Sequence, residues 1–336
     1  MKFRAFLMLS ALCGLPFVLT SCVTADGGGG SSYISEIGPV YPGVGSYVVA
    51  DVQDAHVALA HGANQRRPVA SLTKIATALV ALEYFTASGT GGGELMTVPP
   101  QVQLLGNPGP AGLQPGDQLS VRDGLYASLI ASDNYAAETV AAHIGARMAG
   151  GTGNPMAAFI SQMNSLASRV GLRDTRFANA HGLDLEGQRG YSTAADMARL
   201  TIHALAVPGF SFFCSQPSRR LAVTRMGGAQ GVTIQTTNEL LFKGGIDGVK
   251  TGTTLLAGQC LIITAPKPAT VVKNADGSPS VTPHRLVVVA LGATDRFNQA
   301  WQLLNEGWSA YFNWRSAGSP YAVGASLRAP QPLPVR

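Results

Sequence analysis

Residues 71–85 read SLTKIATALVALEYF, and Ile75, Ala76, Ala78, Leu79, Val80, Ala81 and Leu82 leave this segment almost no polar face. A helix that is apolar all round is a buried one, so the stretch predicts a helix at the centre of the fold. Ser71 and Lys74 open it. On a helix, positions i and i+3 share a face, which brings Ser71 Oγ and Lys74 Nζ within hydrogen-bond reach. Ser71 falls in the first turn, where free backbone N–H groups and the helix dipole favour a developing negative charge. A serine three residues before a lysine is common at exposed helix starts, but here the apolar surroundings make an exposed lysine the harder case.

Upstream of this helix, SYVVADVQDAHVALAHG from Ser46 gives two β-rich runs around a polar turn near Gln53 to Ala55, a hairpin pattern. Downstream, helical periodicity covers roughly 121–131, 134–148, 155–170 and 194–206, with Gly- and Pro-containing loops between. Strand patterns return at about 248–254, 259–265 and 285–292, and an amphipathic helix follows over about 295–312. Strands at both ends with helices between predict an α/β (α+β) fold. One sheet is built from the two ends of the domain, a helical insertion lies beside it at about 87–235, and the active site sits in the groove between them.

The chain has 336 residues, 46% hydrophobic and 13% charged, which excludes intrinsic disorder, and its 4 Cys are too few for a disulfide scaffold. A net charge of +5 comes from scattered basic residues without aromatic interleaving, so no nucleic-acid face is expected. The mild positive balance suits anionic partners such as a carboxylate ligand. Residues 1–22, MKFRAFLMLSALCGLPFVLTSC, carry two cations, an apolar run and small residues, the pattern of an export signal. Leu19-Thr20-Ser21-Cys22 resembles the bacterial lipoprotein box, with cleavage before Cys22 and lipidation of its thiol; a plain secretory signal is the alternative. Loss of residues 1–21 leaves a net charge of +3. The Gly/Ser-rich run 25–32 suits a flexible tether, and 22–45 is expected to be a linker. The Pro/Ala/Gly-rich stretch 315–336 reads as a weakly ordered tail. Cys214 and Cys260 either pair or remain two buried thiols.

Two further motifs follow Ser71-Leu72-Thr73-Lys74. Ser132-Asp133-Asn134 stands between two helical patterns, where its residue types also suit a helix cap. Lys250-Thr251-Gly252 opens a β-like run, and Val249 excludes a phosphate loop, which requires glycine directly before the lysine. Gly252 on a strand points to close approach of a ligand to the backbone. S-x-x-K, S-D-N and K-T-G in this order are the signature of the penicillin-interacting serine enzymes. Within that superfamily residues 47–312 resemble the low-molecular-mass D-alanyl-D-alanine carboxypeptidases, a family of penicillin-binding proteins. RPVASLTKI (67–75), FANAHGLD (177–184), YSTAADM (191–197) and DGVKTGTT (247–254) carry the likeness. Thr253 stands where several members have histidine.

The resemblance implies a β-lactamase/transpeptidase-like fold for a peptidase domain at 46–314, and no metal or cofactor. Its substrate would be the peptidoglycan stem peptide ending in D-Ala-D-Ala, with β-lactam antibiotics as covalent inhibitors. Ser71 would be the nucleophile, Lys74 its base and Ser132 a proton relay. Asn134, Lys250, Thr251, Gly252, Thr253 and Arg296 would bind substrate, and the N–H groups of Ser71 and Thr253 would form the oxyanion hole. As a base, Lys74 needs its pKa lowered by roughly 3 from an ordinary value of about 10.4, some 4 kcal/mol. Burial and the nearby cation Lys250 push that way. A β-lactamase, a D,D-endopeptidase and an idle peptidoglycan-binding lipoprotein are the competing readings. Glu138, Glu186 and Glu239, the glutamates between Asn134 and Lys250, lack the E-x-x-x-N spacing of class A β-lactamases. The 22 residues after Trp314 are too few for a further domain, so a lipid at Cys22 would supply the membrane anchor.

Overall fold

The computed structural model describes residues 33–106, 108–151 and 153–328. Strands β1 (Ser46–Asp51) and β2 (Val57–His61) form the expected hairpin. A 3-10 turn, Ala70–Thr73, leads into α1 (Lys74–Ser88). The middle of the chain contributes β3 (Leu95–Thr97), β4 (Gln118–Ser120), α2 (Val121–Ile130), α3 (Asn134–Met148), α4 (Pro155–Val170), α5 (Ala194–Ala206) and α6 (Phe210–Cys214). There follow β5 (Ser218–Arg225), β6 (Gly228–Gln235), β7 (Gly248–Thr254), β8 (Gly258–Lys273), β9 (Pro279–Ala293) and α7 (Arg296–Ser316).

The main sheet is antiparallel in the order β2-β1-β9-β8-β7, so strands from the two ends of the domain meet in it. Its centre is apolar on both faces. Val287, Val289 and Leu291 of β9 join the core shared with α1 and α5, while Leu286, Val288 and Ala290 join the core beneath α7. Successive strand residues point to opposite faces, so a continuous apolar run is what a sheet covered on both sides requires. The helices are capped from the sequence: Ser120, Asp133, Asn154, Thr193 and Asp295 each accept a backbone N–H of the following first turn. These caps fix where each helix starts, and the cap of α3 lies inside the Ser-Asp-Asn motif.

Four expectations need correction. The insertion is not purely helical, because β3-β4-β5-β6 form a second antiparallel sheet within it. Only one side of β5 and β6 is buried, and short exposed runs such as GAQGVTIQ carry little periodic signal. Strands β8 and β9 continue to the pair Lys273–Pro279 as a ribbon exposed on both faces, which hydrophobic patterning does not register. Residues 33–45 are not all free linker: Ile34 is buried and Ser35 N–H donates to Gly324 O. Residues 315–328 are likewise packed, with Ala325 and Leu327 buried and their backbones bonded to Val57 and Ala55. Cys214 and Cys260 are buried free thiols. Residues 1–32, including the signal pattern and Cys22, lie outside the described residues. Among the described residues no helix is long and apolar enough to cross a membrane.

Candidate active site

Three segments converge at the free edge of β7. Ser71 lies in the 3-10 turn before α1 rather than in the α-helix itself. With three residues per turn a 3-10 helix stacks i directly under i+3, so the tighter turn aligns Ser71 with Lys74 better than an α-turn does. Lys74 Nζ is 2.8 Å from Ser71 Oγ. It is also 2.7 Å from Asn134 Oδ1 and 2.7 Å from the His181 carbonyl oxygen. Ser132 is not among these acceptors.

Lys74 is wholly buried, and burial pushes its pKa down to about 7, against the opposing pull of the Asp133 carboxylate. Lys250 behaves differently from expectation. It too is buried, and burial first, then Lys74 and Arg296, hold it well below the ordinary lysine range. Burial therefore accounts for the lowered pKa of Lys74, and the repulsion between the two amines is felt at Lys250.

The Ser-Asp-Asn turn is over-determined. Asp133 Oδ1 accepts from Ala136 N at 2.9 Å and Oδ2 from Ala111 N at 2.9 Å. These bonds hold Ser132 at φ +61°, a conformation that costs a non-glycine residue free energy. Asp133 is thus the helix cap that its residue type suggests, and the same bonds aim Asn134 at Lys74.

On β7, Lys250 Nζ donates to Thr251 O at 2.9 Å, and Thr251 Oγ1 meets Thr237 Oγ1 at 2.5 Å. A Cβ at Gly252 would lie 3.0 Å from Ser71 N and 3.2 Å from Val69 O, so glycine lets the strand press against the turn that carries Ser71. Arg296, the first residue of α7, donates from Nη1 to Gly252 O at 3.0 Å and to Thr253 Oγ1 at 2.6 Å. Its Nε is buried without a partner among the described residues. Ser71, Lys74 and Asn134 are thus bonded together, Gly252 presses on the turn that carries Ser71, and Arg296 is tied to Gly252 and Thr253 beside Lys250 and Thr251, while Ser132 is placed only as the neighbour of Asp133. Such an arrangement can activate a nucleophile and hold a carboxylate.

Sequence reading missed the brace beneath Lys74. Asn179 Oδ1 accepts from His181 N and Gly182 N, its Nδ2 donates to Leu183 O and Gln188 O, and Thr77 Oγ1 donates to Ala180 O. His181 matters through its backbone carbonyl, which no residue pattern reports. Gly182 has φ +83°, and a Cβ there would stand 1.9 Å from Ala70 O. The Asn-x-x-Gly turn signal at 179–182 was the available clue. Glu186 and Glu239 are exposed, whereas Glu138 is half-buried beside His181.

Residues 43–275 match the family model described as D-alanyl-D-alanine carboxypeptidase. The chain is 33% identical over 276 residues to D-alanyl-D-alanine carboxypeptidase DacD of Salmonella typhimurium, covering 78% of this chain and 62% of that protein. The chain thus spans about three-fifths of the length of the curated relatives it matches. The solved structure of penicillin binding protein 6B from Escherichia coli is 30% identical, with a TM-score of 0.63 and 82% of each chain covered. Penicillin-Binding Protein D2 from Listeria monocytogenes, in its ampicillin bound form, is 27% identical with a TM-score of 0.62, covering 81% of this chain and 99% of that one.

Proposed function

The chain belongs to the D-alanyl-D-alanine carboxypeptidase family, and we propose on that premise that it is a serine D,D-carboxypeptidase acting on peptidoglycan stem peptides. The observation that carries this reading is the 2.8 Å contact between Ser71 Oγ and the Nζ of a fully buried Lys74. Ser71 Oγ attacks the carbonyl between the two D-alanines as its proton passes to Lys74, forming the tetrahedral oxyanion. The N–H groups of Ser71 and Thr253 stabilise that charge. The intermediate collapses to an acyl-enzyme as the C–N bond breaks, and Ser132 relays a proton to the departing D-alanine amine. Water then attacks the ester and returns Ser71 Oγ with its proton.

Asn134 orients the amide of the acyl side, while Lys250, Thr251 and Arg296 receive the terminal carboxylate. An incoming carboxylate favours the charged form of Lys250, so substrate binding draws a proton onto it. β-Lactams acylate Ser71 by the same route. No exposed or site-facing glutamate has the E-x-x-x-N spacing that a fast deacylating water needs, so penicillin acts as a slow covalent inhibitor rather than a substrate. Residues 1–21 act as an export signal, and Cys22 carries a lipid that holds the domain on the envelope membrane.

The enzyme is tested with purified protein on defined muropeptides. Stem pentapeptides should lose one D-alanine by mass, and Ser71→Ala should release none and take no fluorescent penicillin. Rapid turnover of the label would point to a β-lactamase, and a wild type that takes no label would refute the serine mechanism. For the anchor, Cys22→Ser should move the protein from the membrane to the soluble envelope fraction, and a soluble wild type would refute lipidation.

A further inference from the structure

Glu138 stands on α3 one turn after Asn134, its side chain 14% exposed and its Oε2 buried without a hydrogen-bond partner among the described residues. That oxygen lies 3.8 Å from His181 Nε2. The tautomer of the ring follows from its other nitrogen: Nδ1 accepts from Leu183 N at 3.1 Å, so the ring proton is on Nε2 and points at Glu138. The carbonyl of this same histidine receives Lys74 Nζ, and the other acceptor of Nζ is the Asn134 side chain. Glu138 is therefore joined to both acceptors of the amine, to one through a helical turn and to the other through an imidazole.

We propose that Glu138 is a positioning residue for Lys74, fixing the His181 ring and through it the carbonyl that holds the amine against Ser71. The proposal rests on the reading of Ser71 and Lys74 as nucleophile and base. An unpaired carboxyl oxygen in the interior costs free energy that leucine at the same position would not, so packing alone gives no reason for it. The titratable group that faces it is His181. His181 is held neutral, its pKa pushed down to about 3 by burial and then by Lys74, so it cannot pair with Glu138 as a cation. Burial raises the Glu138 carboxyl to about 7. Above that pH it is an ionised carboxylate facing Nε2–H across 3.8 Å, and below it that attraction weakens.

The test measures acylation by a fluorescent penicillin from pH 5 to 9, with thermal unfolding in parallel. Glu138→Leu should remain folded and acylate about tenfold more slowly, the scale of a slightly misplaced catalytic group. Glu138→Gln, whose amide keeps a polar oxygen facing Nε2–H, should stay within about threefold of wild type. The acid side of the wild-type profile should fall more steeply than a single protonation allows, and Glu138→Gln should return it to one proton. Wild-type rates in Glu138→Leu at every pH, or identical one-proton limbs in wild type and Glu138→Gln, would overturn the role of Glu138 alone. A wild type that takes no label would overturn the serine mechanism with it.

Discussion

Lys74→Arg is expected to fold normally and to lose acylation by about a thousandfold or more, within the range that general-base groups contribute. Arginine keeps the charge and much of the length but cannot give up its proton at any working pH. In the wild type, burial has already brought the amine to about 7, so near neutrality a large share of molecules hold Nζ unprotonated, 2.8 Å from the hydroxyl. The sign of the pH dependence follows. Below pH 7 Lys74 is increasingly protonated, and its contribution to acylation falls about tenfold for each further unit. Second-order rates with a fluorescent penicillin measure both effects, and an arginine variant acylating at the wild-type rate would show that the proton leaves by another path.

Gly182→Ala is expected to damage stability and acylation together. Its Cβ would stand 1.9 Å from Ala70 O and 2.4 Å from Ala70 C, both backbone atoms next to Ser71, at a φ of +83° that alanine rarely adopts. Neither partner is a flexible side chain, so the 179–183 loop or the nucleophile turn must move. Overpacking of this kind costs about 3 kcal/mol, roughly 6 °C or more in Tm for a domain of this size. Because the moving loop carries the His181 carbonyl, acylation should fall at least about a hundredfold even in the molecules that remain folded. Denaturation curves and labelling rates check this, and a variant matching wild type in both would mean that the loop does not brace the site.

Much of this was legible in the sequence because the groups concerned announce themselves locally. The all-apolar helix after Ser71 foretold a buried Lys74, and the residue types of Ser132-Asp133-Asn134 foretold a cap; Gly252 marked a close approach, although the partner here is the Val69–Ser71 backbone rather than a ligand. What stayed hidden acts through the backbone or at long range. The carbonyl of His181 is identical in every residue type, and Thr237 reaches Thr251 from the loop after β6 without any spacing to mark it. Glu138 drew notice in the sequence only for its missing E-x-x-x-N spacing, because the environment around it is assembled from segments over 40 residues apart. The exposed half of the β8–β9 ribbon was missed for the opposite reason, since it buries nothing and so leaves no apolar period.

The account turns on whether Lys74 is a neutral amine near physiological pH. Residues 22–336 contain five lysines, Lys74, Lys243, Lys250, Lys267 and Lys273, few enough for a titration of 13C-labelled lysine side chains by NMR. The resonance lost in Lys74→Arg should titrate near 7, well below the ordinary lysine value of about 10.4. If it titrates at the ordinary lysine value instead, Lys74 remains an ammonium at working pH and cannot be the group that activates Ser71.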